Sequence, residues 1–278
     1  MTVPLLVSCK WLKENCNNEN LVILDVSWSS SKDMDEEFKK GHIKGAKYIN
    51  VMNGENTELF PRNLPTAEKF QESVRAVGVN NNSHIVLYSN SDFCGYFLSG
   101  RAWWTFKYFG AKNVSILDGG WQKWNSENYP ITTDDTPIKP GNFTVNVVEN
   151  LKRNFTQTED DVKNKTRQIC DSRGAPKYKG PESTGRIPGA KNLPLYQLID
   201  QTSQTLKPIE EIKKDFSSAG IDVSKPITTY CFSGMSSCSV LLAANLCGNM
   251  DASLYLVSKI IEDVRVDLQN GVRRLIRV

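Results

Sequence analysis

Cys231 is the residue of this sequence whose type and position are best suited to covalent chemistry. It follows a short stretch that predicts a strand, and it precedes a run from Ser237 to Cys247 that predicts a helix. The N–H groups of a tight loop and of a helix start can converge on one point, where they favour negative charge. The sequence therefore predicts a depressed thiol pKa and attack as a thiolate. The loop residues expected to cradle the sulfur are Phe232, Ser233, Gly234, Met235, Ser236 and Ser237.

The numbers and spacing of the cysteines and histidines bear on metal binding and on the redox compartment. The chain has seven cysteines and two histidines, with no Cys-x-x-Cys spacing, so we predict neither a metal site nor a cofactor. An odd number of cysteines without a pairing framework is typical of a reducing compartment. We interpret the other cysteines as inert packing or loop residues, since free cysteines are usually buried hydrophobes. They are Cys9, Cys16, Cys94, Cys170, Cys238 and Cys247.

Length and composition indicate a globular protein of two domains. The 278 residues are 39% hydrophobic and 23% charged, with a formal net charge of +3. No basic tract suggests nucleic-acid binding, and the longest apolar runs are far shorter than a membrane span. The first seven residues show neither a signal peptide nor an Arg-rich import pattern. We therefore expect a cytoplasmic monomer without nucleic-acid or membrane partners, with the mitochondrion as the alternative compartment.

The chain repeats itself with a period near half its length. The apolar run ending at Asp25 matches the run ending at Asp171, and the strand ending at Tyr88 matches the strand ending at Tyr230. Residues 41–47 read Gly-His-Ile-Lys-Gly-Ala-Lys, and residues 185–191 read Gly-Arg-Ile-Pro-Gly-Ala-Lys. Ser89 then occupies the position in the first copy that Cys231 occupies in the second. We expect the second copy to be the catalytic one.

Each copy alternates apolar strands with helices, which is typical of parallel sheets covered on both faces. The predicted strands are residues 21–26, 84–88, 114–117, 167–171, 226–230 and 253–256. The predicted helices are residues 66–77, 95–109, 121–126, 209–219 and 237–247, with an amphipathic helix in the tail over 260–278. The sequence thus predicts an α/β fold of two tandem domains, residues 1–131 and 143–278, joined by a linker over 132–142. Cys231 would lie at the carboxyl end of a strand, where open α/β sheets bind ligands.

Residues 3 to 256 resemble the tandem-rhodanese sulfurtransferases. The resemblance is carried by the loop at Cys231 and by residues 25–28 (Asp-Val-Ser-Trp), 41–46, 117–121 (Leu-Asp-Gly-Gly-Trp), 171–173 (Asp-Ser-Arg) and 186–190 (Arg-Ile-Pro-Gly-Ala). It implies two rhodanese-like domains, each a mainly parallel sheet flanked by helices. It also implies a non-catalytic first domain, a catalytic second domain and an active cleft between them.

The resemblance implies sulfur transfer through Cys231. Family members that prefer thiosulfate place Arg and Lys after the cysteine, whereas those that prefer mercaptopyruvate have an uncharged loop of small residues. Residues 232–236, Phe-Ser-Gly-Met-Ser, resemble the second group, and an uncharged loop disfavours a dianion. Cys231 is then implied to take sulfur from 3-mercaptopyruvate, and less well from thiosulfate, as a persulfide. Pyruvate is released, and a thiol, thioredoxin or cyanide accepts the sulfur. Ser233 is implied to hydrogen-bond the substrate carbonyl or to relay a proton.

Two cations are expected to bind the substrate carboxylate. Lys177 stands where mercaptopyruvate enzymes have an arginine, and it offers charge without the bidentate fork. Arg186 replaces the usual histidine of the Gly-His-Ile motif; it could supply the missing cation, or it could have a structural or solvent-facing role. Arg173 is expected to be structural. The Ser-His-Asp relay of that branch is missing, because residues 60–63 read Phe-Pro-Arg-Asn.

Two other functions stay open from the sequence. A cysteine phosphatase would need an arginine six residues after the cysteine, but position 237 is serine. A catalytically weak binding or thiol-sensing module is favoured by Lys177, by Arg62 and by a tail that departs from the family pattern after residue 254. Thiocyanate formation from cyanide, lost in Cys231→Ser, would separate an enzyme from such a module.

Overall fold

A computed structural model describes residues 3–57, 62–90, 95–135, 137–180, 182–183, 185–256, 266–267 and 272–273. The chain forms two compact units. The first consists of Met1–Glu55, Asn63–Val148 and Asp200–Leu206, and the second consists of Asn56–Arg62, Glu149–Ile199 and Lys207–Val278. Each unit contains its own five-stranded sheet.

The five-stranded sheet of the first unit is parallel throughout. Its strands, in spatial order, are Leu6–Val7, Val114–Leu117, His84–Tyr88, Leu21–Asp25 and Lys47–Tyr48. The strands His42–Ile43 and Ile131–Thr132 form a separate antiparallel pair. The helices of this unit are Cys9–Asn15, Met34–Lys39, Ala67–Ala76, Tyr96–Tyr108 and Gly120–Ser126.

The five-stranded sheet of the second unit is also parallel and follows the same strand order. From one edge to the other, its strands are Lys152–Arg153, Ala252–Tyr255, Ile227–Tyr230, Gln168–Asp171 and Lys191–Asn192. The α-helices here are Phe155–Asn164, Ala175–Lys179, Ile209–Ser218 and Met235–Leu246, and Glu149–Leu151 and Leu195–Leu198 are short 3₁₀ helices. Two further short strands are Ile199–Asp200 and Thr205–Leu206, of which Asp200 and Thr205–Leu206 belong to the first unit.

Burial explains why the strands read as continuous apolar runs. In the first unit Ile23, Val86 and Leu117 belong to one buried cluster, and in the second unit Ile169, Tyr230 and Tyr255 do. Strands covered by helices on both faces need apolar side chains on both faces. The helix Met235–Leu246 is buried along most of its length, which accounts for its nearly uniform apolar sequence.

The α/β class and the repeated parallel sheets are confirmed. The predicted strands 84–88 and 114–117 have the observed bounds, and the helices predicted over 66–77 and 209–219 are observed as Ala67–Ala76 and Ile209–Ser218. The helix predicted from Ser237 begins earlier, at Met235, because Gly234 takes a left-handed conformation there (φ 77°) and acts as the N-cap. The helix Phe155–Asn164 was not predicted, although its capping box of Asn154 and Gln157 is a recognisable signal in the sequence.

The predicted tail helix over 260–278 is wrong in part. Val266–Asp267 and Val272–Arg273 form a short antiparallel pair, and the rest of the prediction lies outside the described residues. The sequence between the two strands contains Asn-Gly, which favours a tight turn over a continuous helix. The domain boundaries stay a prediction. Phe143 is buried, and its N–H donates to the carbonyl of Val79 in the first unit.

Candidate active site

Cys231 lies at the carboxyl end of the central strand of the second sheet. It directly follows Ile227–Tyr230, whose neighbours in the sheet are Gln168–Asp171 and Ala252–Tyr255. Three residues later, the helix Met235–Leu246 begins. The position at the strand end and before a helix is therefore as predicted. The side chain is largely covered, with 5% of the residue exposed.

Hydrogen-bond donors surround the sulfur of Cys231. The N–H of Gly234 lies 3.1 Å from Sγ, and the hydroxyl of Ser237 lies 3.3 Å from it. Gly234 can direct its N–H inward because its left-handed backbone turns the chain sharply before the helix. Ser237 lies in the first turn of that helix, where backbone N–H groups are also unpaired within the helix. The loop and helix start thus form an anion-stabilising nest.

Hydrogen bonding outweighs burial at this thiol. Burial alone would raise the pKa of Cys231, but hydrogen bonds from Ser237, from the Ser233 backbone and from the Ser236 hydroxyl lower the pKa below its ordinary value. Other buried thiols behave in the opposite way. Burial raises the pKa of Cys9 to about 12, and it raises the pKa of Cys170 as well. The environment therefore favours the thiolate form of Cys231 more than that of Cys9 or Cys170.

The hydroxyl of Ser236 is positioned by a residue of the neighbouring strand end. The Oγ atoms of Ser172 and Ser236 lie 2.8 Å apart, and Ser172 Oγ also donates to the carbonyl of Tyr230 at 3.2 Å. Ser172 is the middle residue of the Asp-Ser-Arg motif. This motif therefore reaches the sulfur through Ser236.

The Asp-Ser-Arg motif also contains a buried ion pair. Arg173 Nε donates to Asp171 Oδ1 at 2.9 Å, and Arg173 Nη2 donates to Asp171 Oδ2 at 2.6 Å. Nη2 also donates to the carbonyl of Gly185 at 2.8 Å, and the guanidinium lies 5.7 Å from the ring centroid of Tyr230. These contacts agree with the structural role expected for Arg173. They brace the strand end next to Cys231.

Arg62 is a cation at this site that was not among the predicted site residues. Its Nη1 atom donates to Ser233 Oγ at 2.9 Å, and the segment Asn56–Arg62 belongs to the second unit. From the sequence alone, Arg62 favours a binding module, because it stands in the region where the family's relay is missing. The sequence offered one hint of a role at this site, namely the positive charge of Arg62 within residues 60–63. Nothing local linked it to a loop 171 residues away.

The two predicted substrate cations have different surroundings. Lys177 is exposed on the short helix Ala175–Lys179. Arg186 is also exposed, and its guanidinium lies 4.7 Å from the ring centroid of Tyr178 and donates to the carbonyl of Tyr178 at 3.2 Å. Their role in substrate binding stays a prediction.

The other residues of the Cys231 loop, and the equivalent position in the first unit, have different surroundings. Phe232, which directly follows Cys231, is 53% exposed, whereas Met235 is buried. Ser89, at the corresponding position in the first unit, is buried and donates to the carbonyl of Gly95 at 2.7 Å. Cys94 lies outside the described residues. At the position where a phosphatase would need arginine, Ser237 donates to the sulfur instead, so the loop suits a sulfur anion better than a phosphate.

The chain is similar in sequence to known sulfurtransferases. The chain matches the model of the rhodanese-like domain twice, over residues 8–127 and 154–259. It is 35% identical over 262 residues to thiosulfate sulfurtransferase of Gallus gallus, with 90% of each protein covered. It is 34% identical over 270 residues to 3-mercaptopyruvate sulfurtransferase of Rattus norvegicus, covering 90% of this chain and 89% of that relative. Relatives with either name are thus similar to nearly the same degree.

A solved structure shows the same architecture. SseA from Escherichia coli, described as a 3-mercaptopyruvate sulfotransferase with the rhodanese fold, superposes with a TM-score of 0.82 at 28% identity. The match covers 92% of this chain and 98% of SseA.

Among the helices that the structure describes here, none has the length and apolar character to cross a membrane.

Proposed function

We propose, from the premise that this chain belongs to the rhodanese family of sulfurtransferases, that Cys231 carries sulfur as a persulfide. The donor is 3-mercaptopyruvate and, less well, thiosulfate. The acceptor is a small thiol, thioredoxin or cyanide. The persulfide forms and is consumed on the same sulfur atom.

The observation that carries this proposal is the set of donors around Cys231 Sγ. Gly234 N–H and Ser237 Oγ, at 3.1 and 3.3 Å, support a thiolate before the reaction. The same donors can stabilise the negative charge of a persulfide after it. A buried thiol with a lowered pKa in such a nest is suited to accept and hold one sulfur atom.

The proposed reaction with mercaptopyruvate balances without a cofactor. The Cys231 thiolate attacks the thiol sulfur of the donor, so an S–S bond forms as the S–C bond breaks. The carbon fragment leaves as the enolate of pyruvate and takes up the proton that the donor thiol gives up. The products are pyruvate and an ionised Cys231 persulfide. A second nucleophile then attacks the outer sulfur and restores the thiolate.

Charge supports mercaptopyruvate as the better donor. Residues 232–237 carry no charged side chain, and Arg62 places one positive charge at Ser233. One guanidinium matches the single carboxylate of mercaptopyruvate, whereas thiosulfate brings two negative charges towards a thiolate. We therefore propose a larger kcat/KM for mercaptopyruvate than for thiosulfate.

The proposed setting is the cytoplasm. The cysteines of the described residues are all free thiols, which fits a reducing compartment. Reduced thiols and thioredoxin are available there as sulfur acceptors. The proposed acting form is the monomer.

The test is direct detection of the persulfide. Treatment of the intact protein with mercaptopyruvate should add the mass of one sulfur to the peptide containing Cys231, and cyanide should remove it as thiocyanate. Cys231→Ser should lose both, whereas Cys247→Ser is the matched control, since burial raises the pKa of Cys247. If the native protein gains no sulfur and makes no thiocyanate, it is a binding or thiol-sensing module. A clear kinetic preference for thiosulfate would overturn the donor assignment alone.

A further inference from the structure

We propose that Arg62 binds the anionic group of the sulfur donor, at a position fixed by its hydrogen bond to Ser233. The identity of the donor rests on the function proposed above. The anion site itself rests on the geometry of Arg62, Ser233 and Cys231. The proposal gives a substrate-binding role to Arg62, which is distant in sequence from the loop that contains Cys231.

Arg62 is connected to the sulfur through a short chain of contacts. Its Nη1 atom donates to Ser233 Oγ at 2.9 Å. The backbone of the same serine contributes a hydrogen bond that lowers the pKa of Cys231. Ser233 is buried, with 5% of the residue exposed, so this guanidinium contact lies at the covered part of the loop. A donor whose sulfur contacts Cys231 can therefore place its charged end at Ser233 and Arg62.

The chemistry of arginine favours anion binding over proton transfer at this position. Guanidinium stays protonated in proteins and cannot accept a proton from Ser233. Its planar array of N–H donors matches carboxylate and sulfonate oxygens. The position that could have held a base therefore holds a permanent positive charge.

The contact also sets the role of the Ser233 hydroxyl. Because Ser233 Oγ accepts from Arg62, its own proton must be donated in another direction. A hydroxyl polarised by a guanidinium is a stronger donor towards the developing enolate oxygen of pyruvate. Arg62 thus acts on the donor's anionic group directly and on its carbonyl through Ser233.

Arg62 is better placed for this role than either cation proposed from the sequence. Lys177 is exposed on its helix, and Arg186 is exposed and stacked on Tyr178. A side chain hydrogen-bonded to the cysteine loop loses less conformational freedom on binding an anion than a solvated one does. We therefore expect Arg62 to dominate anion recognition.

The experiment compares alkylation of Cys231 by iodoacetate and by iodoacetamide, followed on the Cys231 peptide by mass spectrometry. The two reagents differ in charge and deliver nearly the same group to the same sulfur. Arg62→Gln should slow iodoacetate about tenfold and leave iodoacetamide nearly unchanged, because a positive charge next to the site attracts only the anion. Arg62→Lys should keep most of the iodoacetate rate, since the charge remains. Lys163→Gln is the control, as Lys163 is exposed and pairs with Glu159.

Each outcome decides the proposal. Equal slowing of both reagents in Arg62→Gln would mean that Arg62 only supports the loop, and no change with either reagent would mean that it does not bind the anion. In steady-state assays the same variant should raise the KM for both donors about tenfold, with a smaller effect on kcat. Because alkylation requires no sulfur transfer, failure of the persulfide test would leave the alkylation result intact. The two proposals can therefore fail separately.

Discussion

At the scale of single residues, the reactivity of Cys231 comes from hydrogen bonds to its sulfur. Ser237→Ala removes the hydroxyl at 3.3 Å from Sγ, and this donor stabilises the thiolate more than the thiol. The pKa of Cys231 should therefore rise in this variant, because a hydrogen bond to the charged form is lost. The pH dependence of iodoacetamide alkylation measures this shift. Ser218→Ala, at the exposed end of another helix, should leave the profile unchanged. An unshifted profile in Ser237→Ala would remove this hydroxyl from the cradle.

Lys177 and Arg186 give a second prediction at this scale. If they only attract and anchor the donor's carboxylate, Lys177→Ala and Arg186→Ala should raise KM more than they lower kcat. Both side chains are exposed, so salt should screen their effect, and we expect about a threefold change at low ionic strength. Steady-state kinetics with mercaptopyruvate at two salt concentrations would measure it. Unchanged KM at low salt would exclude both residues from substrate binding.

The site residues whose contacts are local were predictable from the sequence, whereas the distant contacts of Arg62 and Ser172 were not. Ser237 and Gly234 lie within six residues of Cys231, so the type of loop was enough to place them near the sulfur. Arg62 lies 171 residues from Ser233 in sequence and contacts the loop only through the fold of the second unit, to which it belongs. The periodicity and spacing of residues in the sequence carry no information about a contact between Arg62 and Ser233.

At the scale of elements, the geometry of the sulfur site depends on how one helix begins. Gly234 takes a φ of 77° just before the helix Met235–Leu246 and directs its N–H to the sulfur. Gly234→Ala should cost about 1–2 kcal/mol through left-handed strain and should turn that N–H away. We expect a large fall in sulfurtransferase activity with a small fall in Tm.

The same helix provides a matched control for this prediction. Gly248 follows the other end of the helix with a φ of 94°, and an added Cβ there would meet nothing within 4 Å. Gly248→Ala should therefore show a similar loss of Tm without the loss of activity. Equal activity losses in the two variants would mean that strain in general, and not the direction of the Gly234 N–H, impairs the site.

Element positions were predictable where the signal was local and strong. The apolar runs at 84–88 and 114–117 gave the strands correctly, because fully buried parallel strands need apolar residues on both faces. The start of the helix after Cys231 was placed two residues late, since the serines at 236 and 237 resemble a loop when backbone angles are unknown. The tail was assigned to a helix from its spacing, whereas its described residues form paired strands.

At the scale of the whole molecule, the two units share one plan but differ at one buried carboxylate. Asp171 and Asp25 end equivalent strands, and both accept an N–H from the residue two positions on. Asp171 is paired with Arg173, whereas Ser27 stands at the equivalent position in the first unit. The repeat was visible in the sequence, but this difference in charge balance needed the structure.

The buried ion pair of the second unit leads to a stability prediction. Asp171→Asn leaves the Arg173 guanidinium, with 5% of its side chain exposed, without its counter-charge. Loss of one partner of a buried pair costs about 3–5 kcal/mol. Pulse alkylation of the buried Cys170 and Cys238 along a urea gradient reports unfolding of this unit, with Cys9 reporting the first unit. The transition of Cys170 and Cys238 should move to lower urea, and an unchanged transition would show that the pair contributes nothing.

The equivalent substitution in the first unit should have the opposite sign. Burial raises the pKa of Asp25, despite hydrogen bonds from Ser27, so ionisation of this carboxyl opposes folding at neutral pH. The folded state binds its proton more tightly, so this unit loses stability as pH rises from about 4 through the raised pKa. An asparagine at this position cannot ionise, so Asp25→Asn does not lose this stability. The difference in free energy of unfolding between the variant and the native protein should therefore grow as the pH rises through the raised pKa. The six tryptophans, at 11, 28, 103, 104, 121 and 124, all belong to the first unit, so their fluorescence in urea isolates its unfolding. A variant that is less stable than the native protein at neutral pH would show that Asp25 is stabilised by its hydrogen bonds as an anion.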